Sequence, residues 1–508
     1  APAADTPSVH GSPPLAPARR GHQALALVAL AAGAVYLAWR IGFTLSPDTL
    51  WLGLPLLVAE TWALLAVALF VFSSWRLTVR TPPDPEAGPA PSVAVLIPTY
   101  NEPPDVLRAT VLGALGVRHP RPPEVWVLDD GARAWVARMC RELGVRHLVR
   151  PRPRTHAKAG NLNHALGVVT ADLLLVLDAD HVPLPGILER TVPYFADPRV
   201  AFVQSPQAFF NRSFQHPRRA DDPVRNEQSL FYDVICRGKD RHDAAFWCGS
   251  SAVVRREALL EVGGVATETV VEDTHTAMRL HAAGWRSVYH HEVLAVGLAP
   301  EEVGAFLTQR GRWARGCFQM LRRDNPLRAR GLSWRQRLHY FASVSHYLEG
   351  PQRLVGLLIP PITLATGVLP LAASQYTYLA LFIPQLVLVP MATWAMAEGR
   401  YRFFEGERFA LVRVIAYTRA ASALLLRRPV RFAVTPKGAD SRGGSAVRAL
   451  LPQLAIAGLA LGGAAYQTVA QVLDLPGRLS PFAYAVTVAW ALIGAGLLGW
   501  MSLWAGCV

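Results

Sequence analysis

The sequence predicts an α/β domain with a mostly parallel sheet, inserted between about six transmembrane helices and accompanied by interfacial amphipathic helices. Three observations support this fold class. Long uncharged runs lie at both ends of the 508-residue chain, and residues 76–350 between them are far more polar. Within that polar segment, short continuous apolar runs alternate with amphipathic helical patterns, which is typical of parallel strands covered on both faces.

Composition excludes several classes of protein. With 51% hydrophobic and 17% charged residues, the chain is neither disordered nor a nucleic-acid-binding tail protein, and we expect no nucleic-acid partner. The five cysteines have no metal-like spacing, and their odd number argues against a disulfide framework. The net charge of +14 comes almost wholly from arginine, so the three lysines, Lys158, Lys239 and Lys437, stand out.

Five apolar runs are long enough to cross a membrane. They are residues 21–39, 49–75, 354–397, 449–473 and 479–508. Since a span needs about 20 apolar residues, the 44 residues of 354–397 supply two spans, broken near Ser374. We therefore predict a disordered tail over 1–20 and three helical hairpins, in segments 21–75, 351–399 and 449–508.

Charged residues near these spans predict orientation and packing. The short loops at 44–49, 372–377 and 474–482 contain a single basic residue, Arg478, so both termini and the large domain are predicted to be cytosolic. Glu60 lies in the middle of a span, where a carboxylate is costly. We expect Glu60 to face the interior of the helix bundle or a pore; the alternative is a protonated or snorkelling side chain.

The domain from 92 to 350 follows a proline-rich linker over 76–91. Its predicted strands are 93–98, 124–128, 146–149 and 172–177, and its predicted helices lie near 104–116, 133–143 and 160–168. In open α/β sheets, ligands bind beyond the carboxyl ends of the strands. The residues that follow these strands are therefore the first candidates for a site.

Acidic and turn residues follow three of the strands: TYNE at 99–102, DDG at 129–131 and DADH at 178–181. Each motif alone is equally typical of an ordinary turn. Three of them on one sheet converge on one crevice. Carboxylates gathered there need a counter-charge, and hard oxygen ligands favour Mg²⁺ or Mn²⁺ bridging a phosphate.

Three further motifs suit the same chemistry. HAKAGN at 156–161 precedes a helix and could hold a diphosphate near helix N–H groups. Glu272 and Asp273 open a predicted helix over 273–283, where they would also favour the helix dipole. In QRGRW at 309–313, glutamine, arginine and tryptophan share one helical face, and the last two suit a diphosphate and a sugar face.

These motifs together carry a resemblance to a known family. IPTYNE, DDG, HAKAGN, DADH, FWCGSS, TETVVED and QRGRW, in this order and between such spans, resemble the processive family 2 glycosyltransferases of bacterial cellulose synthase type. The likeness covers about residues 20–508. FAVTPKG at 432–438 is similar to the family's gating loop, within a basic segment over 400–448 that reads as an interfacial amphipathic helix and loop.

The resemblance implies a GT-A domain in the bacterial inner membrane that transfers glucose from UDP-glucose, with Mg²⁺ or Mn²⁺, and threads the polymer through its own pore. Its partners would be the UDP-sugar donor, the growing polysaccharide, membrane lipids and a periplasmic or accessory subunit. The product would be a β-glucan, with β-1,4 linkage as in cellulose. Alternatives are a β-1,3-glucan (curdlan) synthase, a chitin- or hyaluronan-type synthase, a transferase acting on a lipid carrier, and a transporter with a degenerate transferase domain.

The resemblance also assigns roles residue by residue. The uridine would be held by Thr99, Tyr100, Glu102 and Asp129. The diphosphate, metal and donor sugar would be held by Lys158, Asp178, Asp180, Gln309 and Arg312, with Thr435 and Lys437 of the gating loop. Asp273, next to Glu272, would be the general base. The acceptor would lie against Trp313, helped by Phe246, Trp247, Cys248 and Gly249.

Two departures from the family pattern bear on these expectations. Val271 stands where the family has threonine before the Glu-Asp pair, so a hydroxyl near the base is lost. The chain also ends in its last predicted span, so the family's cyclic-diguanylate-binding domain would be either absent or merely missing from this chain. The linkage therefore stays open at this point, since relatives without that domain include curdlan synthases.

Overall fold

The computed structural model describes most of the chain. The described residues are 16–17, 19–84, 89–152, 155–211, 227–401, 403–425 and 446–506. The predicted gating loop, with Thr435 and Lys437, lies outside the described residues, as does most of the predicted tail over 1–20.

The soluble domain is built on a seven-stranded sheet of order β3-β2-β1-β4-β8-β6-β9, beside a small sheet of order β5-β10-β7. The strands are β1 (Val93–Thr99), β2 (Glu124–Asp129), β3 (Arg146–Leu148), β4 (Leu173–Val176), β5 (His181–Pro183), β6 (Val200–Gln204), β7 (Ala208–Phe209), β8 (Ala252–Arg255), β9 (Arg286–Tyr289) and β10 (Ala295–Gly297). In the large sheet only β8 runs antiparallel to its neighbours, β4 and β6. The predicted mostly parallel sheet is confirmed.

Sixteen α-helices occur in the described residues. They are α1 (Arg20–Phe43), α2 (Leu50–Ser74), α3 (Pro104–Leu115), α4 (Ala134–Leu143), α5 (Ala157–Leu166), α6 (Ile187–Thr191), α7 (Cys236–Asp240), α8 (Arg256–Glu261), α9 (Glu272–Ala282), α10 (Val303–Arg323), α11 (Trp334–Ser345), α12 (Glu349–Thr366), α13 (Gln375–Met396), α14 (Phe403–Leu425), α15 (Ala446–Val472) and α16 (Pro481–Gly506). A π-helical turn, Phe231–Ile235, leads into α7.

Both faces of the sheet are covered, as the continuous apolar strands require. All seven residues of β1 are buried. On one face the strands pack against α3 and α4, and on the other against α5, α8 and α9. The four predicted strands agree with β1 to β4 to within one or two residues. Helix α5 begins at Ala157, three residues before its predicted start, so it includes Lys158.

In the described part of the chain, five helices are long and apolar enough to cross a membrane: α1, α2, α13, α15 and α16. They enclose the sheet domain between the second and the third of them. The sequence predicts six spans, and the difference lies at the third. There, α12 is 18 residues long, contains Glu349, Arg353, Pro360 and Pro361, and rises about 27 Å.

The charges of α12 explain why it differs from the predicted span. The prediction began at 354, after the last charge, whereas the helix begins at Glu349. Arg353 donates to Glu349 and to Glu407 of α14, so the first turns of α12 join a polar network at the base of the sheet domain. The first turns of α12 therefore belong to the soluble domain, and the rest of the helix belongs to the helix bundle.

Helix α14 lies within the basic segment 400–448, for which the sequence predicts an interfacial helix and a loop. Its residues Tyr417 and Ala420 pack against Ala314 and Phe318 of α10. At its start Phe404 is 66% exposed. One side of α14 therefore docks on the sheet domain, and α14 connects that domain to the membrane helices.

Glu60 faces the interior of the helix bundle, as predicted. Its carboxylate accepts hydrogen bonds from Tyr36 Oη (2.6 Å) and Arg40 Nε (2.9 Å), both on α1. Arg40 is fully buried and also contacts Thr44 Oγ1. The pair ties α1 to α2 within the apolar bundle.

We predict that Glu60→Gln destabilises the protein, because it leaves the buried Arg40 guanidinium without a counter-charge. Removing one partner of a buried pair costs about 3–5 kcal/mol. Unfolding of the detergent-solubilised chain would measure the loss. The matched control is Glu189→Gln, which removes the exposed partner of Arg118 and should cost far less, because solvent screens a surface pair. Equal stability of the two variants would contradict the prediction.

Candidate functional site

A cavity of about 1070 Å³ lies beyond the carboxyl ends of β1, β2 and β4. These ends meet at one edge because β1 pairs in parallel with both neighbours, Thr99 opposite Asp129 and Leu96 opposite Val176. Most residues predicted for the site line this cavity: Thr99, Tyr100, Glu102, Lys158, Asp178, Asp180, Phe246, Cys248, Gly249, Glu272, Asp273, Gln309, Arg312 and Trp313. Residues of α2 and α13 also line it.

The turn after β1 is organised by its own glutamate. Glu102 Oε2 accepts hydrogen bonds from Thr99 Oγ1 (2.7 Å) and from the Tyr100 backbone N–H (2.8 Å). Arg133, at the start of α4, donates to Thr99 Oγ1 (2.6 Å) and to the Glu102 carbonyl (3.1 Å). The turn is therefore preformed, with Tyr100 on the cavity wall.

The DDG turn differs from the prediction. Asp129, predicted to hold uridine, is fully buried, and its carboxylate accepts from the backbone N–H groups of Gly131 (3.0 Å) and Arg133 (2.6 Å). The neighbouring Asp130 lines the cavity instead and pairs with Arg150 (2.6 Å). Asp129 thus stabilises the turn, and Asp130 presents a carboxylate to the cavity.

Lys158 joins three segments at the centre of the site. Its Nζ donates to Asp178 Oδ1 (2.5 Å) and to the Gly249 carbonyl (2.6 Å). Burial disfavours the charged forms of Lys158 and Asp178, but the attraction between their opposite charges outweighs the effect of burial. The pKa of Lys158 is raised, with Glu272 contributing, and the pKa of Asp178 is lowered. Both groups are therefore charged at neutral pH.

Asp178, Asp180 and His181 form a cluster that could hold a metal ion. One ligand atom from each lies within 4.8 Å of the others. His181 Nδ1 is 3.3 Å from Asp180 Oδ1 and 4.0 Å from Asp178 Oδ2. Two carboxylates and one imidazole are a set of ligands that would suit a divalent cation. No role was predicted for His181, although its place directly after the Asp-Ala-Asp motif was a signal for one.

Asp273 has a protonation behaviour opposite to that of Asp178. It lies in the first turn of α9, and its Oδ1 accepts from the Thr274 backbone N–H (2.7 Å). Burial, and secondarily the charge of Glu272, raise the pKa of Asp273 to about 7. A carboxylate with this pKa can take up a proton at neutral pH, which is what a general base requires.

Helix α10 carries Gln309, Arg312 and Trp313 into the cavity. The Arg310 guanidinium lies 4.2 Å from the centre of the Trp313 ring and forms an ion pair with Glu227. Arg310 thereby fixes the plane of the indole. The sequence indicates no role for Arg310 or Glu227, because nothing local predicts their pairing across 83 residues.

The segment 246–249, predicted to lie against the acceptor, is divided between the cavity wall and the protein core. Phe246, Cys248 and Gly249 line the cavity, whereas Trp247 is almost fully buried and packs in the core beneath the sheet with Phe202 and Leu280. Trp247, predicted to help bind the acceptor, is therefore a core residue. Phe246 packs against Phe231 and Tyr340, with ring centres 5.6 and 6.2 Å away.

Comparison with protein families identifies the domain that contains this site. Residues 89–316 match the family model described as glycosyltransferase like family 2. The chain contains a family 2 glycosyltransferase domain. Residues 260–403 match a second family model, described as cellulose synthase. Asp178 lies in the first match, Asp273 and Trp313 lie in both, and the second continues through α12 and α13.

Curated relatives agree with the two matches. Cellulose synthase 2 of Novacetimonas hansenii is 39% identical over 82% of this chain and 26% of its own length. The cellulose synthase catalytic subunit [UDP-forming] of Pseudomonas fluorescens is 39% identical over 76% of this chain and 53% of its own length. For cellulose synthase 1 catalytic subunit [UDP-forming] of Komagataeibacter xylinus, the values are 37%, 91% and 63%. The chain thus spans between a quarter and two thirds of these relatives.

A solved structure supports the fold of the family 2 domain. A mannosyltransferase from Pyrobaculum calidifontis, in complex with GDP-Man and Mn²⁺, has a TM-score of 0.50 and 20% identity. The match covers 80% of this chain and the whole of that one. The predicted GT-A fold between membrane helices is confirmed.

In this glycosyltransferase domain Gly249 separates Lys158 from Asp273, and we predict that Gly249→Ala abolishes most transfer activity. Its φ is +83°, and an added Cβ would lie 2.8 Å from Asp273 Oδ2. Displacement of a reacting group by about 1 Å can cost about 100-fold in rate. Gly284→Ala is the matched control, with φ +92° and open space around the added Cβ. Initial rates of sugar transfer should fall only in the first variant; comparable rates would refute the constraint on Asp273.

Proposed function

We propose that the chain is the catalytic core of a processive, inverting membrane glycosyltransferase. It polymerises glucose from UDP-glucose into a β-glucan, β-1,4-linked as in cellulose, and moves the polymer across the bacterial inner membrane from a cytosolic active site. The names of the relatives, cellulose synthase and UDP-forming catalytic subunit, support both the donor and the product.

The shape of the cavity is the observation that carries this proposal. The same cavity that is lined by Asp178 and Asp273 is also lined by Trp62 and Phe70 of α2 and by Thr393 of α13. A volume of about 1070 Å³ exceeds the upper end of the usual range for small-ligand sites, roughly 300–1,000 Å³. A site that opens among membrane helices suits a transferase whose product leaves through the membrane.

The donor would lie along the edge of the sheet. The turn formed by Thr99, Tyr100 and Glu102 would hold the uridine, and Lys158, Gln309 and Arg312 would hold the diphosphate. Lys158 and Arg312 both approach the acidic cluster, so they can offset negative charge that develops on the leaving diphosphate. Arg312 also offers the planar donor fork that binds phosphate oxygens in pairs.

A divalent cation, Mg²⁺ or Mn²⁺, would be held by Asp178, Asp180 and His181, whose ligand atoms are grouped closely enough to share it. When bound, it would neutralise charge on the diphosphate.

Chelation by EDTA should then abolish turnover, and Mg²⁺ or Mn²⁺ should restore it; His181→Ala should raise the Mn²⁺ concentration needed for half-maximal activity. Full activity in the presence of chelator would show that the reaction needs no divalent metal.

Asp273 would accept the proton of the acceptor hydroxyl. As the hydroxyl oxygen bonds to the anomeric carbon, the bond from that carbon to the diphosphate oxygen breaks on the opposite face, which inverts the configuration. The O–H proton passes to Asp273, and UDP leaves with the bonding electrons. The acceptor sugar would stack on the face of Trp313 that Arg310 does not cover, beside Phe246 and Cys248.

Translocation is tested in sealed proteoliposomes whose active site faces outward. After incubation with labelled UDP-glucose, polymer should be protected inside the vesicles from added glucanase. Polymer that is wholly accessible would refute coupled translocation while leaving polymerisation intact. Digestion with linkage-specific glucanases distinguishes a β-1,4-glucan from curdlan. Parallel reactions with UDP-N-acetylglucosamine test the chitin- and hyaluronan-type alternatives.

We predict that Asp273→Asn lowers polymer synthesis at least about 100-fold, because the amide cannot accept the proton. UDP affinity should change less than about twofold, since the variant keeps size and polarity. Glu142→Gln, an exposed carboxylate on α4, is the matched control and should leave both values unchanged. Near-normal turnover of Asp273→Asn would exclude Asp273 as the base.

The pH profile provides a second test of Asp273. With a pKa of about 7, the carboxylate is protonated and inactive below that pH and becomes active as pH rises. The value of kcat/KM should therefore fall about tenfold per pH unit below pH 7. The residual activity of Asp273→Asn should lack this acid limb. An acid limb of the wild-type profile near pH 4 would contradict the assignment.

A further inference from the structure

The segment that presents Lys158 has an unfavourable backbone. His156 and Ala157, directly before Lys158, have φ values of 59° and 45°. Residues with a Cβ rarely adopt this left-handed conformation, and two in succession are rarer still. Such a segment keeps its shape only when its surroundings hold it.

Arg150 makes the contacts that hold this segment. Its guanidinium donates to the Thr155 carbonyl on one side of His156 and to the Ala157 carbonyl (3.2 Å) on the other. The same guanidinium donates to both carboxylate oxygens of Asp130, each at 2.6 Å. Both side chains are buried. One planar group therefore joins the end of β2 to the start of α5.

Gly160 gives independent evidence that the segment is tightly folded around Arg150. A Cβ at this position would lie 2.1 Å from the Thr155 carbonyl oxygen and 2.4 Å from Arg150 Nη1. No side chain could be accommodated there without moving the guanidinium or the turn. The first turn of α5 is thus closed over Arg150, which does not itself line the cavity.

We propose that Arg150 is a positioning residue for donor binding. By fixing the backbone on both sides of His156, it holds the Lys158 ammonium at the centre of the site, against Asp178 and the Gly249 carbonyl. This inference rests on the proposed function, in which Lys158 binds the donor's diphosphate. Arg150 contacts neither donor nor acceptor; it acts through Lys158.

A double-mutant cycle on the full chain in nanodiscs, with Mn²⁺ present, tests the proposal. The variants are Arg150→Met, Lys158→Met and the two combined, and the probes are UDP and uridine. Arg150→Met should weaken UDP binding about tenfold or more, while uridine binding changes less than about twofold. In the Lys158→Met background, the Arg150 change should add less than about twofold, because its effect passes through the lost ammonium. The KM for UDP-glucose should rise with the dissociation constant of UDP.

Arg118→Met is the matched control, since Arg118 forms an equally bidentate pair with Glu189 on the surface (2.8 Å for each bond). It should leave UDP binding unchanged. Should Arg150→Met fail to insert and fold, Arg150→Lys replaces it in the cycle. Lysine keeps the charge opposite Asp130 but cannot reach both carbonyls, so it should weaken UDP binding in part.

Four results would overturn the inference. Equal loss of UDP and uridine affinity, or additive effects in the double variant, would mean that Arg150 only stabilises the domain. Unchanged UDP binding in Arg150→Met, with weakened binding in Lys158→Met, would refute the inference alone. Unchanged UDP binding in Lys158→Met would refute the donor role of Lys158 in the proposed function, and the inference with it.

Discussion

The contact between Lys158 and Asp178 is the interaction on which the site depends. Asp178, Asp180, Glu272 and Asp273 are among the acidic residues that line the cavity, and such a group of carboxylates is stable only with a counter-charge nearby. Lys158 Nζ lies 2.5 Å from Asp178 Oδ1 and keeps that carboxylate ionised. The pKa of Asp273, in contrast, is raised mainly by burial and then by the charge of Glu272. Because the Lys158 ammonium lies closer to Asp178 than to Asp273, the pKa values of these two carboxylates are different. That separation divides the work between an acid that stays charged and an acid that can exchange a proton.

A second charge network connects the site to α12 and α14. Glu227 pairs with Arg310 of α10 and with Arg413 of α14, and Arg353 of α12 pairs with Glu349 and Glu407. The network fixes Trp313 through Arg310 and ties three helices together. Its carboxylates and guanidinium groups offset one another along the cavity wall. Such a wall can hydrogen-bond an uncharged sugar chain without holding it by a fixed charge, which suits a chain that has to move.

The sequence predicts the parallel strands, the order of the motifs and the convergence of three acidic turns, because apolar runs and turn residues report local structure. It does not predict which of two adjacent residues faces a cavity. Asp129 and Asp130 have the same chemistry, as do Phe246 and Trp247, and only the packing of the chain decides between them. The ion pairs of Arg310 and Arg150 join segments distant in sequence or hidden in a turn, so no local pattern reveals them. The start of α12 is missed for a related reason: Glu349 and Arg353 look like the end of a soluble segment until Glu407 pairs with one of them.

The packing of Val271 shows what a valine does at the position where the family has threonine. The sequence suggests that replacing threonine with valine removes a useful hydroxyl next to Asp273. In the structure Val271 is buried against Gly316 of α10, where a Cβ would lie 2.6 Å from Val271 Cγ1. Asp273 still receives its hydrogen bond from the Thr274 backbone N–H. The branched methyl groups of Val271 instead pack against α10, at the point where α9 begins. Burial is the largest influence on that carboxylate's pKa, so an apolar neighbour at 271 supports the protonation behaviour that a base at this position needs.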